Sequence, residues 1–402
     1  MGLRRIAFAV IRSLPSPGPR PAASPDAKPE RPAAPEAPRP PSPLLDAFVP
    51  RPGGGPGDAC VPWTPPAPSP APATGPALPP SGPPVVVVMD GAMDEKHPAL
   101  SSAWWTNPGE IAGDGVDNDG NGVVDDVHGF NVGLGGGDLS AGQSLEHGTH
   151  VAGIVAAGDD GRGHAGVAAG QALVMGMCGM YDGCDLLTNF ERAVDYVVDM
   201  KGRGANVRVV NASFGGAYPD PAAQARWKAA AEKLAAADIL FCVATDNGSG
   251  NNLNGRPDMP GNLGLPNQVT VAAMDRANDK LAPFSSYGDQ VIQIAAVGEN
   301  VVSTAPGGGR QRMSGTSMAT PEVAGAAALA FGINPALTAA QVRDLLLQSA
   351  SKDPDLDGKV STGGKLDVAA LLEAAKQTLK PAAPPLEDDG GWGWDWFEQL
   401  AA

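Results

Sequence analysis

One serine, Ser317, stands in a setting that is typical of a chemically reactive hydroxyl. It lies in the segment GTSMATP (315–321), where a loop of small residues leads into an apolar, alanine-rich stretch. This pattern predicts a helix that begins beside the serine, with Pro321 in the first turn, where a missing amide hydrogen costs nothing. The free amides of the helix start then face any anion that forms beside the hydroxyl. This setting suits acyl transfer. Most loops of this kind are structural, however, so a catalytic role for Ser317 also requires a base and a group that orients the base.

A serine hydroxyl is a weak nucleophile unless a base takes its proton and a third group orients that base. His147 opens HGTHVAGIVAA, whose apolar spacing predicts a packed helix with the histidine in its first turn. Asp90 follows the apolar run VVVVM (85–89), which predicts a parallel strand buried on both faces. Ligands of open α/β sheets bind at such strand ends. Asp90, His147 and Ser317 are therefore candidates for one catalytic set. The other four histidines are expected to be structural or exposed: His97, His128, His150 and His164.

The order Asp90, His147, Ser317 in these settings resembles the subtilase family of serine peptidases. The resemblance covers roughly residues 84–377. It rests on VVVVMDGAMDEKHPAL, EHGTHVAGIVAA and SGTSMATPEVAGAAALA, with VRVVNASFGG (207–216), FCVATDNGSG (241–250) and FSSYG (284–288) between them. A single matching motif can occur by chance, whereas several motifs in the family's order indicate a real relationship.

The resemblance implies a serine endopeptidase that hydrolyses peptide bonds through an acyl-enzyme. Ser317 would be the nucleophile, His147 the general base and then the general acid, and Asp90 the group that orients the imidazole. The side-chain amide of Asn247 and the backbone amide of Ser317 would form the oxyanion hole. Protein or peptide substrates are the partners that this activity requires.

The resemblance also implies a substrate edge and a side pocket. The edge would pair with an extended peptide, and its glycines would allow close approach; it comprises Ser213, Phe214, Gly215 and Gly216. Asp246 stands where the family usually has glycine, near the expected wall of the pocket for the residue preceding the cut. We expect Asp246 to narrow that pocket or to favour a basic residue there.

Two further departures keep alternatives open. Gly91 follows Asp90 where the family usually has a hydroxyl residue, and Glu146 precedes His147 where glycine is usual. These departures make a catalytically impaired, subtilase-like binding module an alternative. A metallopeptidase built on His147, His150 and Glu146 is disfavoured, because EHGTH lacks the HExxH spacing of a zinc site.

The acidic stretch GDGVDNDGNGVVDD (113–126) predicts a second chemistry, a structural calcium site. Its alternating oxygen-bearing residues follow the first half of a calcium loop, but His128 occupies the place of the final glutamate, so it is not a standard EF-hand. The predicted ligands are Asp114, Asp117, Asp119, Asn121, the Val123 carbonyl and Asp126. The alternative is a solvated acidic loop. An insert of this kind, after TNPGEI (106–111), resembles a bacterial subgroup of subtilases.

Apolar strands alternate with small-residue helices from Val85 onward, which predicts an α/β fold with a doubly wound, mostly parallel sheet and helices on both faces. We expect a targeting segment at 1–13, a disordered Pro/Ala-rich linker or atypical pro-region at 14–84, a single catalytic domain at 85–380 and a Gly/Trp-rich tail at 381–402.

The net charge is -16, and the sequence shows no stripe of basic residues that could neutralise the phosphates of a nucleic acid. Nucleic acid is therefore not an expected partner. No apolar run is long enough to span a membrane. Arg4-Arg5 before IAFAVI favours a secreted, cell-surface or periplasmic protein, and we expect a monomer. Cys178 and Cys184 are close enough in sequence to pair in an oxidising compartment, whereas Cys60 and Cys242 are expected to be free.

Overall fold

The computed structural model describes residues 82–379, except residues 160, 162, 163, 249 and 278. The predicted targeting segment, nearly all of the predicted linker and the predicted tail lie outside the described residues.

The strands that this part of the chain forms are β1 (Val85–Met89), β2 (Gly129–Asn131), β3 (Leu173–Cys178), β4 (Val207–Ala212), β5 (Gly216–Ala217), β6 (Leu240–Ala244), β7 (Asp258–Met259), β8 (Gln268–Asp275), β9 (Lys280–Leu281), β10 (Ile294–Val297), β11 (Val301–Ala305), β12 (Gly309–Met313), β13 (Ser351–Lys352) and β14 (Gly364–Lys365). The main sheet has the order β13-β14-β10-β8-β6-β4-β1-β3-β2, with β9 beside β8. Pairing is parallel from β2 to β14, and only β13 and β9 join antiparallel. The predicted parallel sheet is confirmed.

The helices are α1 (Leu145–Ala156), α2 (Leu186–Gly202), α3 (Pro221–Ala236), α4 (Thr316–Ile333), α5 (Ala339–Gln348) and α6 (Val368–Gln377), with short 3-10 turns at Pro98–Leu100 and Pro354–Leu356. One apolar core packs α1, α4, α5 and α6 against a face of the sheet, and a second packs α2 and α3 against the other face. The fold is therefore the expected three-layer α/β arrangement. Among the described residues, no helix is long and apolar enough to cross a membrane.

Strand β1 shows why the sequence pattern is reliable here. Its four valines and Met89 are at most 2% exposed, because they alternate between the two apolar cores. Branched side chains suit this doubly covered environment. The strand therefore ends at a fixed point, and Asp90 emerges directly from it.

Helix starts fall into two groups. The N-caps of α2, α3, α5 and α6 are side chains that accept hydrogen bonds from first-turn amides: Asp185, Asp220, Thr338 and Asp367. The caps of α1 and α4, Ser144 and Gly315, make no such side-chain bond. In α1 the His147 amide bonds to the backbone carbonyl of Ser144, whereas in α4 the Thr316 amide is capped by a side chain from another loop, that of Asn247.

Helix α1 is fastened to β11 through a glycine. A Cβ on Gly153 would lie 2.0 Å from Thr304 Oγ1 and 2.4 Å from Ser303 Oγ. Those hydroxyls donate to the α1 carbonyls of Thr149, at 2.7 Å, and His150, at 2.8 Å. The absence of a side chain at Gly153 thus lets the helix lie directly on the strand.

The expected Cys178–Cys184 disulfide is wrong. Cys178, the last residue of β3, is a free thiol, whereas Cys184 is disulfide-bonded. The Cys178 side chain is fully buried in the apolar core that also contains Val151 and Val155, so it faces away from the loop that carries Cys184. Cys242 is free and buried as expected, and Cys60 lies outside the described residues.

We predict that Gly153→Ala lowers the free energy of unfolding by about 1–3 kcal/mol, because the added methyl overpacks the contact between α1 and β11. Urea denaturation measures this change. Gly332→Ala is the matched control: Gly332 lies in α4, and a Cβ added there would have no heavy atom within 4 Å, so we expect a neutral or slightly stabilising effect. Equal destabilisation by both substitutions would contradict the packing role of Gly153.

Candidate active site

Asp90 and His147 form the best-defined contact at the carboxyl end of the sheet. Asp90 is fully buried, and its Oδ1 accepts hydrogen bonds from His147 Nδ1 at 2.7 Å and from the Gly91 amide at 2.6 Å. Its Oδ2 is buried and has no hydrogen-bond partner among the described residues. The predicted aspartate and histidine are thus brought together, and the carboxylate fixes the imidazole with Nε2 facing outward.

Two glycines allow that contact. A Cβ on Gly148 would lie 2.4 Å from the Ala92 carbonyl oxygen, and a Cβ on Gly91 would lie 2.6 Å from the Gln143 carbonyl oxygen. The first turn of α1 therefore rests directly on the backbone that follows Asp90. Gly91, which departs from the family pattern, is required by this backbone, since no side chain fits there.

The surroundings of His147 shift the pKa of its imidazole. Desolvation by burial lowers the pKa of His147, but the charge of Asp90 and its hydrogen bond raise it more, so the net pKa is above the ordinary value. The Glu146 side chain is exposed and is not among the causes of this shift. The extra carboxylate before His147 therefore points into solvent.

Ser317 is the second residue of α4, as the sequence predicts, and it is tied to the strand end at Ser213. Its hydroxyl donates to the Ser213 carbonyl at 3.0 Å, and the Ser213 hydroxyl donates to the Ser317 carbonyl at 2.9 Å. Among the described residues, no hydrogen bond joins Ser317 to His147. Their proximity follows from the sheet, because Met89 pairs with Ala212 and so Asp90 and Ser213 leave neighbouring strands side by side.

Pro321 lies in the second turn of α4, so its predicted place in the first turn is wrong. A proline there removes the amide that would bond to the Ser317 carbonyl four residues earlier. That carbonyl is instead the acceptor of the Ser213 hydroxyl. Asn211 in turn donates to the Ser213 hydroxyl at 2.9 Å, which completes a buried chain of hydrogen bonds.

Asn247 caps the start of α4 from another loop. Its Oδ1 accepts from the Thr316 amide at 2.9 Å, which assigns the oxygen to that side and leaves Nδ2 as a free donor. A Cβ on Gly315 would lie 3.7 Å from this Nδ2 and 3.6 Å from the Ser317 amide nitrogen. In the described part of the chain neither group has an acceptor, so two unpaired donors flank one point beside the Ser317 hydroxyl.

The predicted substrate edge is partly altered. The Phe214 side chain is buried and packs edge-on to Phe190, with ring centroids 6.4 Å apart, so it anchors the segment and does not line its surface. A Cβ added at Gly216 would have no heavy atom within 4 Å, which leaves that side of the segment open. The edge thus offers backbone and glycine surface next to Ser213.

Sequence reasoning missed Asp258, which lies under this edge. Strand β7 pairs antiparallel with β5, so that Asp258 faces Ala217 across the ladder. Burial first, and the nearby charge of Asp246 second, raise the pKa of Asp258 to about 7. The local sequence PDMPG resembles an ordinary turn, so no signal marked this carboxylate.

His150 has the packing role that its sequence position favours. It is fully buried, its Nε2 lies 3.1 Å from the Val301 carbonyl oxygen, and burial lowers its pKa to about 4. The ring of His150 thus faces β11, while that of His147 faces Asp90. The two imidazoles do not converge on a metal position.

The acidic loop gathers a different set of carboxylates from the predicted one. Oxygens of Glu110, Asp119 and Asp126 lie within 4.8 Å of one another, and Glu110 was not predicted. Desolvation raises the pKa of Asp126 to about 6, and Glu110 Oε2 is buried without a partner among the described residues. Close carboxylates with an unpaired oxygen fit a hard divalent cation.

The remaining predicted ligands are turned elsewhere. Asp117 accepts from the amides of Gly120, Asn121 and Gly122, and Asp114 accepts from the Val116 amide. Asn121 donates its side-chain amide to Asp119 and Asp126. The predicted role of the Val123 carbonyl remains a prediction. These contacts shape the loop around the three carboxylates.

Comparison with known proteins agrees with this architecture. Residues 82–370 match the family model described as "Subtilase family". The chain is 32% identical over 329 residues to Subtilisin-like protease 1 of Plasmodium vivax, covering 77% of this chain and 50% of that protein. It is 34% identical over 209 residues to subtilisin of Bacillus pumilus, covering 51% and 70% respectively. The chain thus spans about half the length of the Plasmodium relative.

Two solved structures share the fold. The prenylagaramide maturation protease PagA aligns with a TM-score of 0.52 and 24% identity, covering 72% of this chain and 92% of that one. The subtilase cytotoxin SubAB aligns with a TM-score of 0.56 and 22% identity, covering 74% and 91%. With the family match over most of the described residues, these findings establish that the chain belongs to the subtilase family.

Proposed function

We propose that this protein is a serine endopeptidase that cuts peptide bonds through an acyl-enzyme. The observation that carries the proposal is the buried hydrogen bond of 2.7 Å between Asp90 and His147, formed beside the strand end to which Ser317 is tied. An aspartate that holds an imidazole in one tautomer next to a serine at a helix start is the arrangement that nucleophilic catalysis needs.

The first step begins with a rotation of the Ser317 side chain. The Ser317 hydroxyl turns from the Ser213 carbonyl to His147 Nε2, a rotamer change that is fast compared with catalysis. His147 takes the hydroxyl proton as the oxygen attacks the scissile carbonyl, and the Asp90 carboxylate stabilises the resulting imidazolium. The imidazolium then protonates the leaving amine, which departs and leaves the acyl group on Ser317.

The two free donors complete the proposal. The Asn247 Nδ2 and the Ser317 amide would hold the oxyanion that forms in each tetrahedral intermediate, and loss of one such donor typically costs about 3 kcal/mol in the barrier. Water, deprotonated by His147, then hydrolyses the acyl-enzyme. The substrate chain would lie along the open backbone at Gly215 and Gly216 as an added strand.

A structural calcium ion is part of the proposal. The carboxylates of Glu110, Asp119 and Asp126 would bind it, and the ion would offset the repulsion among them. We also propose export, from Arg4-Arg5 and the apolar residues that follow them.

The alternative, an impaired binding module, is favoured by two observations. Asp90 Oδ2 has no partner among the described residues, and the Ser317 hydroxyl is bonded to Ser213 and not to His147. Covalent chemistry at Ser317 distinguishes the two functions.

We predict that a fluorophosphonate labels the folded protein at Ser317 and that Ser317→Ala abolishes the labelling. Ser314→Ala is the matched control, because Ser314 lies in the same loop and its hydroxyl accepts a hydrogen bond from the Asn300 amide at 2.9 Å, away from Ser213 and His147. Mass spectrometry locates the adduct. A folded wild type that is neither labelled nor able to cut peptides would support the binding module instead.

We predict that Asp90→Asn lowers kcat/KM at neutral pH by a factor on the order of 10⁴, since the imidazole loses its orienting anion. Because the Asp90 charge raises the pKa of His147, its removal lowers that pKa and moves the acid limb of the pH profile to lower pH. Glu146→Gln, which removes an exposed charge next to His147, should leave the limb in place. The opposite pattern would show that Glu146 sets the imidazole pKa.

We predict that EDTA lowers the melting temperature of the Ser317→Ala protein by several degrees and that added calcium restores it, since a ligand at 100 times its Kd contributes about 2.7 kcal/mol. Glu110→Gln and Asp126→Asn should abolish the calcium-dependent rise. Asp114→Asn, which removes a carboxylate outside the cluster, should retain it. An unchanged melting temperature with EDTA would refute the calcium site.

A further inference from the structure

Asp258 is a buried carboxylate that the fold satisfies only in part, through a hydrogen bond that it accepts from the Asp246 backbone amide. It is 3% exposed, and its Oδ2 is buried without a hydrogen-bond partner among the described residues. In that same part of the chain no arginine or lysine forms an ion pair with it. Leaving a buried carboxylate without a cation is costly, so such groups usually have a partner that arrives from elsewhere.

The carboxylate of Asp258 lies below the substrate edge, between glycines. A Cβ on Gly215 would lie 3.9 Å from Asp258 Oδ1, and a Cβ on Gly261 would lie 2.8 Å from Asp258 Oδ2. The carbonyl oxygen of Ala244 lies 3.7 Å and 3.6 Å from those same two Cβ positions. Because Gly215 and Gly261 have no side chains, a slot remains between them, and the Asp258 carboxylate and the Ala244 carbonyl oxygen lie beside it.

The slot begins at the proposed nucleophile. Ser213 exchanges two hydrogen bonds with Ser317, and Gly215 is two residues further along the same segment, about 7 Å if extended. On the opposite side, Asn247 flanks the Ser317 amide and Asp246 directly precedes it in sequence. A side chain that starts beside the scissile carbonyl and enters between these segments therefore runs toward Asp258.

Asp246 adds a second negative charge to the same place. Its charge acts on Asp258 strongly enough to contribute to the raised pKa of that carboxyl. Among the described residues, the Asp246 carboxylate accepts one long hydrogen bond, of 3.4 Å, from the Asn251 side-chain amide. In the described part of the chain neither Asp246 nor Asp258 forms an ion pair with a lysine or arginine, and a cationic side chain in the slot would offset both their repulsion and the desolvation of Asp258.

We propose that Asp258, assisted by Asp246, makes this enzyme select lysine or arginine at the substrate residue that precedes the cut. This inference rests on the proposed function, because it concerns the same site. The ammonium or guanidinium group pairs with the Asp258 carboxylate, and the aliphatic part of the chain lies along Gly215.

The test compares kcat/KM for peptides that differ only in the residue before the cut: lysine, arginine, norleucine and glutamine. We expect lysine and arginine to be preferred to norleucine in the wild type. Asp258→Asn, which keeps the shape and removes the charge, should lower kcat/KM for the two cationic peptides about 30-fold or more and leave norleucine unchanged. Asp246→Asn should cause a smaller loss of the same kind.

Asp344→Asn is the matched control, because it removes an exposed carboxylate from α5 and should not alter the profile. As a second measurement, benzamidine should slow fluorophosphonate labelling of the wild type, while uncharged benzamide should not. This measurement needs no substituted protein.

The outcomes separate the two proposals. A protein that is labelled at Ser317 and cuts peptides, but prefers norleucine and is not protected by benzamidine, overturns the role of Asp258 and leaves the peptidase intact. A folded protein that is neither labelled nor active overturns the proposed function and this inference together.

Discussion

The arrangement of the site depends on one buried contact, the hydrogen bond between Asp90 and His147. It joins residues 57 positions apart and forms only because α1 lies against the loop after β1 without side chains between them. Gly148 and Gly91 supply that clearance, and Gly153 lets β11 hold the other side of the same helix. These three glycines thus allow the close packing that holds the His147 imidazole against Asp90. The charge of Asp90 in turn sets the basicity of that imidazole.

Ser317 is held in place by a separate set of hydrogen bonds. Pro321 withholds an amide from the Ser317 carbonyl, and the Ser213 hydroxyl takes its place, while the Ser317 hydroxyl bonds back to Ser213. The hydrogen bond that α4 lacks at Pro321 is therefore replaced by one that joins α4 to the end of β4. Asn247 occupies the amide of Thr316 and keeps its own Nδ2 free. The helix start thus retains unpaired donors, which is costly for folding and suits the binding of a transient anion.

Carboxylates gather in two places where a cation would offset their mutual repulsion. One is the cluster of Glu110, Asp119 and Asp126, and the other is the pair Asp246 and Asp258. In both, burial raises the pKa of one member, because the fold takes a carboxylate out of water without placing a cationic side chain of the described residues beside it. We propose that the first cluster binds a metal ion and that the second pair binds a substrate side chain. An acidic protein can therefore place part of its negative charge where it binds cations.

The sequence alone determined the layered fold and the burial of β1 and singled out Asp90, His147 and Ser317 as candidates, because these depend on local patterns. Apolar periodicity and helix-start residues act over a few positions, so they can be recognised without coordinates. Only the tertiary structure decided which carboxylates meet, that Cys178 stays a free thiol and that Asp258 lies beneath the substrate edge. Such contacts join residues distant in sequence, and their distances follow from strand register and helix packing, which no local pattern encodes.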